Sequence, residues 1–305
     1  MSHLSLVTPN RHYIQCDLEE AFLDFILSRQ AKLCSENTVR FYSFTLGKFI
    51  EWLISQAIST PGEITTRLIR AYLAEYAKRG CRDSYIHGHA RAIKTFVRFL
   101  HTEEYIAELL TFQMPSLSRK RLPVLSASEV KLVLDACTSS RDKALILFMV
   151  DSGLRRGEVC ALNWRHINIS NGVVLVERGK GGKARSVVIG VTTRRALLAY
   201  RRKIPHEDND PLFQTKNGKR LTPLGLRSAF VRLRNKSGVQ ITPHSMRRTF
   251  ASLSIRAGMN LLHLQGLLGH SSLEMTQRYV QMLDDDLVEA HRSHGPIDTF
   301  LNKQG

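Results

Sequence analysis

GVVLVERGKGGKARSVVI, residues 172 to 189, sets two runs rich in valine and isoleucine on either side of a glycine-rich turn. Short β-branched runs joined by such a turn read as a β-hairpin. The hairpin stands out because everything before it reads as helix. From Asp17 the chain gives a capping-box-like start (Asp17, Glu20) to DLEEAFLDFILSRQ. Ser35 then opens ENTVRFYSFTLGKFIEWLISQ, with Val39, Leu46, Phe49, Ile50 and Leu53 at helical spacing. TTRLIRAYLAEYAKRG ends at Gly80, and DSYIHGHARAIKTFVRFLHTEEY makes a fourth helix.

The register breaks at LLTFQMPSLSRKRLPVLSASE, which carries Pro115, Pro123, several serines and the basic run Arg119, Lys120, Arg121; this reads as a linker. Beyond it Ser126 and Glu129 form a capping box for ASEVKLVLDAC, and DKALILFMVDSGLRRGEVCALNW supplies two more apolar-periodic segments ahead of the hairpin. Short strands and helices are expected to continue through PLFQT and LTPLGLRSAFVRLRNKSG. The expected fold class is mainly α with a small β-hairpin sheet, an α+β chain of two domains. The expected boundaries are a leader over 1–16, a helical domain over 17–108, a linker over 109–122, a mixed domain over 123–283 and a C-terminal tail over 284–305.

The formal net charge is +17, from 44 Lys and Arg against 27 Asp and Glu, over 305 residues. A balance this basic points to a polyanionic partner, with nucleic acid ahead of an anionic membrane surface. Five scattered cysteines without a C-x-x-C pair suggest neither a disulfide framework nor a zinc site. The N-terminus has no continuous apolar stretch, and no segment approaches the roughly 20 apolar residues that span a bilayer. The expected compartment is cytoplasm or nucleoid.

In TPHSMRRTF, residues 242–250, Pro243 suits a first helical turn, and His244 and Arg247 at i, i+3 share one face. A helix N-terminus favours an anion, so a phosphate suits both side chains. Downstream, LLGHSSLEMTQRYV places His270 at a helix end, Ser271 and Glu274 as a capping box, and Tyr279 about two turns into the next helix. Upstream, DSGLRRGEV puts Arg155 and Arg156 near a helix start, and the hairpin turn packs Arg178, Lys180, Lys183 and Arg185 into eight residues with no acid. Taken singly, each has a plain structural reading: a core tyrosine, a structural histidine, solvated surface cations. Together they supply one phenol, two arginines, a lysine and two histidines without clustered carboxylates to hold magnesium. That set suits metal-free phosphoryl transfer. A phenol attacks, guanidinium forks bond the charged non-bridging oxygens, a nearby base or cation helps the phenol (free pKa ~10) lose its proton, and a lysine protonates the leaving oxygen.

GLRRGEV, GKGGKAR, HSMRRTFA and LLGHSSLEMTQRY, in this order across 123 to about 283, resemble the tyrosine recombinase family, the phage-integrase and Xer-like enzymes that share a catalytic core with type IB topoisomerases. HGHARAIKTFVRFLHTEEYI is similar to part of that family's core-binding domain. The resemblance implies a C-shaped clamp on duplex DNA and a covalent 3′-phosphotyrosine intermediate needing no metal, cofactor or ATP. It makes Arg155 and Arg247 the phosphate clamps, Lys180 the general acid and His244 the residue assisting deprotonation of the nucleophile. His270 becomes a hydrogen-bond donor to the phosphate, Tyr279 the nucleophile and Glu158 a supporting residue. Gly157 stands where many members carry Ser or Thr, and Arg248 where a second histidine is frequent. The resemblance further implies a homotetramer on two sites that passes a C-terminal helix to a neighbour, with LDDDLVEAHRSHG as donor and accessory proteins as possible partners. The helical module starts too early for an additional arm-site-binding domain, which favours a simple Xer-like or transposon-borne recombinase. Arg119, Lys120 and Arg121 are expected linker contacts to DNA. The alternatives are a catalytically silent DNA-binding protein, an enzyme that only relaxes supercoils, and a metallohydrolase using His244, His263 and His270.

Overall fold

The computed structural model describes residues 17–117, 124–177, 184–203 and 207–269. The chain divides into two compact units, Met1–Lys120 and Arg121–Gly305.

In the first unit four helices follow one another: α1 (Leu18–Ala31), α2 (Glu36–Ser55), α3 (Thr66–Lys78) and α4 (Asp83–Thr102). The side chains of Asp17, Ser35 and Thr65 cap α1, α2 and α3 by accepting the backbone N–H three residues on, so each helix begins where a local acceptor meets an orphan donor. Helix α4 is the hub and packs against the other three. Its Ile86, Ala90, Ile93, Phe96, Val97 and Leu100 are buried at three- and four-residue spacing. Phe96 and Phe99 each meet Phe25 edge-on at 5.3 Å, the geometry that the ring quadrupoles favour.

A histidine sits inside this core. His89 is 2% exposed; its Nδ1 lies 2.9 Å from the Tyr72 hydroxyl, and its Nε2 has no partner. Burial, then the nearby Lys48 cation, lower its pKa to about 4, because a charged ring would need a second acceptor that the core does not supply.

The second unit contains α5 (Ala127–Asp135), α6 (Ser140–Ser152), α7 (Arg156–Ala161), strands β1 (Val173–Val176) and β2 (Arg185–Val188), α8 (Val191–Arg201), α9 (Pro223–Ser237), α10 (Pro243–Arg256) and α11 (Leu261–Leu268). Helix α6 buries Ala144, Leu145, Ile146, Phe148 and Met149, covering almost its whole circumference. It packs against α5, α8, α10 and β2, which explains why its sequence is apolar without a clean stripe. The hairpin pairs antiparallel, Val173 with Val188 and Val176 with Arg185. Val174, Val176 and Val187 face the core while Leu175 and Val188 face out, the period of two expected of a half-buried ribbon. The described residues are therefore mainly helical with one small antiparallel sheet, as the sequence indicates.

PLFQT departs from expectation. It forms only isolated bridges, Asn163 with Pro211 and Gln214 with Arg220. Leu212 and Phe213 are buried, Phe213 stacking on Tyr200, so their apolar character serves packing and not a strand. An open, mostly apolar groove of about 800 Å³ is lined by Val188, Val191, Phe250, Leu253, Met259 and Leu267. No described helix is long and apolar enough to cross a membrane.

The first unit is expected to lose stability as pH falls from the unfolded imidazole value of ~6.5 towards about 4. In that window only the unfolded chain binds the His89 proton, so stability is complete above the window and drains as acid is added. Urea midpoints across this range should show a shallower acid slope for His89→Phe; an identical slope contradicts the assignment.

Candidate active site

The site is built where α6 ends and α7, α10 and α11 begin or end. Helix α6 closes at Gly153, in the left-handed region at φ +60°. A Cβ there would meet the Phe250 ring at 2.3 Å, so glycine is required by both conformation and space. The turn aims the Gly153 carbonyl at Arg247, which donates from Nη1 at 2.8 Å.

Arg155 is the N-cap of α7. Its backbone N–H donates to Glu158 Oε2 at 2.8 Å and its Nη1 to Glu158 Oε1 at 3.1 Å. The i, i+3 spacing seen in the sequence thus becomes a bidentate contact between N-cap and first turn. Glu158 is buried, yet its carboxyl lies below the usual range. Burial alone would raise it, and the hydrogen bonds from Arg185 and from the Arg155 amide, with both guanidinium charges, outweigh burial.

Helix α10 starts as the sequence requires. The Thr242 hydroxyl accepts the Ser245 N–H at 3.0 Å, the Ser245 hydroxyl accepts the Thr242 N–H at 2.9 Å, and Pro243 fills the first position. His244 lies at its exposed first turn, while Arg247 is only 2% exposed. Desolvation, then the cations Arg248, Arg247 and Arg155, hold the His244 imidazole below its ordinary pKa. The ring is therefore neutral, and able to accept a proton, over a wider pH range than a free imidazole.

Helix α11 ends at Gly269, again left-handed at φ +61°. Its last carbonyls are taken one by one by guanidinium groups. Arg185 Nε donates to Leu267 O at 3.0 Å, Arg247 Nη2 to Leu268 O at 2.7 Å and Arg155 Nη2 to Gly269 O at 3.1 Å. The negative end of a helix dipole thus gathers three cations from three other elements. Arg155, Arg156, Gly157, Thr242, Pro243, His244 and Arg247 line an open cleft of about 410 Å³. It is smaller than the apolar groove, but it is the one lined by cations, with the N-terminal turns of α7 and α10 at its wall. That is a positively polarised recess with room for a phosphate group.

Of the residues singled out in the sequence, Arg155, Glu158, His244 and Arg247 come together here. Lys180, His270 and Tyr279 lie outside the described residues, as do Arg119, Lys120 and Arg121. His270 directly follows the tethered carbonyls in sequence. Among the described residues no three His, Cys, Asp or Glu side chains gather as metal ligands would. Arg185 is missed by a reading that treats the hairpin cations as solvated. Its side chain is 12% exposed and forks onto Glu158. The signal was present: Arg185 stands two residues before the inward-facing Val187 and so shares its face.

Residues 123–285 match the model of the phage integrase family, and residues 20–104 match its N-terminal SAM-like domain. The chain belongs to the phage integrase family. Among its relatives, it is 29% identical over 293 residues to tyrosine recombinase XerA of Pyrococcus horikoshii, covering 94% of this chain and 97% of that protein. It is 30% identical over 276 residues to tyrosine recombinase XerC of Bacillus pumilus, covering 85% and 90% respectively. A crystal structure of XerA recombinase aligns over 91% of this chain and 99% of its own, at 26% identity and TM-score 0.52. A lambda integrase dimer bound to a COC′ core site shares the fold at TM-score 0.72 and 21% identity, covering 87% of this chain and 95% of that one. This integrase-family chain is a tyrosine recombinase acting in site-specific DNA recombination.

Gly153→Ala is expected to destabilise this family member by more than about 1 kcal/mol, since alanine is forced to positive φ against the Phe250 ring. Gly157→Ser, whose Cβ meets nothing within 4 Å, should stay within about 0.5 kcal/mol of wild type. Thermal unfolding of both variants checks the pair, and equal costs would contradict it.

Proposed function

We propose that the cationic cleft binds the scissile phosphate and that Arg155, Lys180, His244, Arg247, His270 and Tyr279 carry strand exchange. The observation that supports this most is the convergence of Arg155, Arg247 and His244, its imidazole held below its ordinary pKa, on one open recess at two helix N-termini. Tyr279 Oη attacks phosphorus at the 3′ side while the bond to the 5′ oxygen breaks. The phenolic proton passes to His244, and Lys180 gives a proton to the departing 5′ oxygen. Arg155 and Arg247 bond the non-bridging oxygens as their charge grows, and His270 adds a further donor. The product is a 3′-phosphotyrosine ester and a free 5′ hydroxyl. The reverse attack by another strand's 5′ hydroxyl rejoins the DNA with no net bond energy lost, so no ATP is needed, and the two guanidinium groups stabilise the charge that a divalent ion would otherwise stabilise.

Four protomers act on two paired duplex sites in this reading, and the segment 284–305 of one seats on its neighbour. The apolar groove lined by Val188, Val191, Phe250 and Leu253 is a receptor of suitable character; Val188 and Val191 are 57% and 51% exposed and so have area to gain by being covered. Arg119, Lys120 and Arg121 contribute phosphate contacts from the linker, which add to salt-dependent affinity.

A nicked suicide duplex carrying the cognate site should trap a covalent complex with wild type and none with Tyr279→Phe. Binding without any trapped complex would instead favour a silent DNA-binding protein, and loss of trapping in EDTA would favour a metal enzyme. The pH profile of trapping gives a second test. A neutral His244 is needed, so the rate falls on the acid side as pH drops through its lowered pKa. Arg248→Gln removes one cation that depresses that pKa, so the acid limb should move to higher pH. A limb that stays put or moves lower removes His244 from this role.

A further inference from the structure

Arg185 joins β2 to the site through every nitrogen of its guanidinium. Nη1 and Nη2 donate to Glu158 Oε1 and Oε2 at 2.9 and 2.8 Å, and Nε donates to Leu267 O at 3.0 Å. Glu158 is also the carboxylate that holds Arg155, by the side-chain bond at 3.1 Å and the N-cap bond at 2.8 Å. One buried negative charge is thus shared by two arginines. A carboxylate paired with Arg155 alone would neutralise it, and the cleft would offer its phosphate a spent cation.

We propose that Arg185 is a positioning residue: by engaging Glu158 it leaves the charge of Arg155 available to the scissile phosphate, and by bonding Leu267 it fixes the end of α11 that leads to His270. Geometry supports a dedicated place for it. The strand register puts Arg185 on the inward face beside Val187, and the guanidinium packs closely over Gly269, where a Cβ would lie a tight 3.0 Å from Arg185 Nε. A solvated cation would need neither arrangement. Lysine cannot reproduce the contact, because an ammonium lacks the planar fork that meets two carboxylate oxygens and a carbonyl at once.

This inference rests on the phosphate-clamp reading of Arg155, and the test separates the two. Single-turnover trapping is measured on suicide duplexes whose scissile group is either an ordinary phosphodiester or a neutral methylphosphonate, with DNA affinity measured alongside. A group that acts by keeping the Arg155 charge available and aligned matters only when the non-bridging oxygen is charged. Arg185→Gln should bind DNA like wild type and cleave the phosphodiester ~10²-fold more slowly, the scale of loss from a displaced catalytic group. On the methylphosphonate the gap should close to within about threefold. An undiminished gap on the neutral substrate, or none on the phosphodiester, overturns the proposal. If Arg185→Gln fails to fold, the same comparison is read on Arg185→Lys, which retains the charge without the fork, with the same narrowing expected and the same contrary results. Arg155→Ala serves as the reference. Should it cleave the phosphodiester at the wild-type rate, the clamp assignment itself is wrong, whatever Arg185 does.

Discussion

Three guanidinium groups bonded to three consecutive carbonyls, Leu267 to Gly269, hold the catalytic unit's functional end together. Arg155 comes from the start of α7, Arg185 from β2 and Arg247 from α10, so the last turn of α11 is where these elements are brought into register. Burying cations is costly unless each finds acceptors. Here the acceptors are the Gly153 carbonyl, the carboxylate of Glu158 and the negative end of α11, whose orphan carbonyls need donors in turn. Both sides of the contact resolve a deficit of the other. The cluster of three arginines and one carboxylate keeps an excess of positive charge, which a phosphate can use.

This arrangement explains two glycines and two helix ends by one requirement. Gly153 and Gly269 both take left-handed conformations, and both present carbonyls to the arginines. A Cβ at Gly153 would strike the Phe250 ring, and one at Gly269 would press on the Arg185 guanidinium. Gly157, beside the same cleft, is under no such restraint and is free to differ from the residue common in the family.

How much of this was legible in the sequence depended on how local the cause was. Helix starts at Asp17, Ser35 and Ser126 are set by side chains three residues from their partners and could be read directly, and the start of α10 could be read from Pro243. The hairpin could be read from its alternating valines. The pairing of His244 with Arg247 followed from helical spacing, whereas Glu158 was pointed to by the resemblance to the family. PLFQT misled because a short apolar run has the same composition whether it pairs in a sheet or plugs a core, and Phe213 does the latter. Arg185 was hidden by its charged neighbours, although the strand period already put it on the buried face. The backbone carbonyls that tether the arginines left no trace, since any residue supplies one. His89 gave no warning either, because only the packing of Tyr72 and its neighbours makes that position dry.

The account stands or falls on whether this cationic recess holds the reacting phosphate. A structure of the chain with a cognate nicked duplex and vanadate would show it most directly. The expected result is vanadium bonded to Tyr279 Oη, its equatorial oxygens accepting from Arg155 and Arg247, with the Leu267 to Gly269 tethers intact. Vanadate bound away from both arginines, or linked to a different side chain, would contradict it.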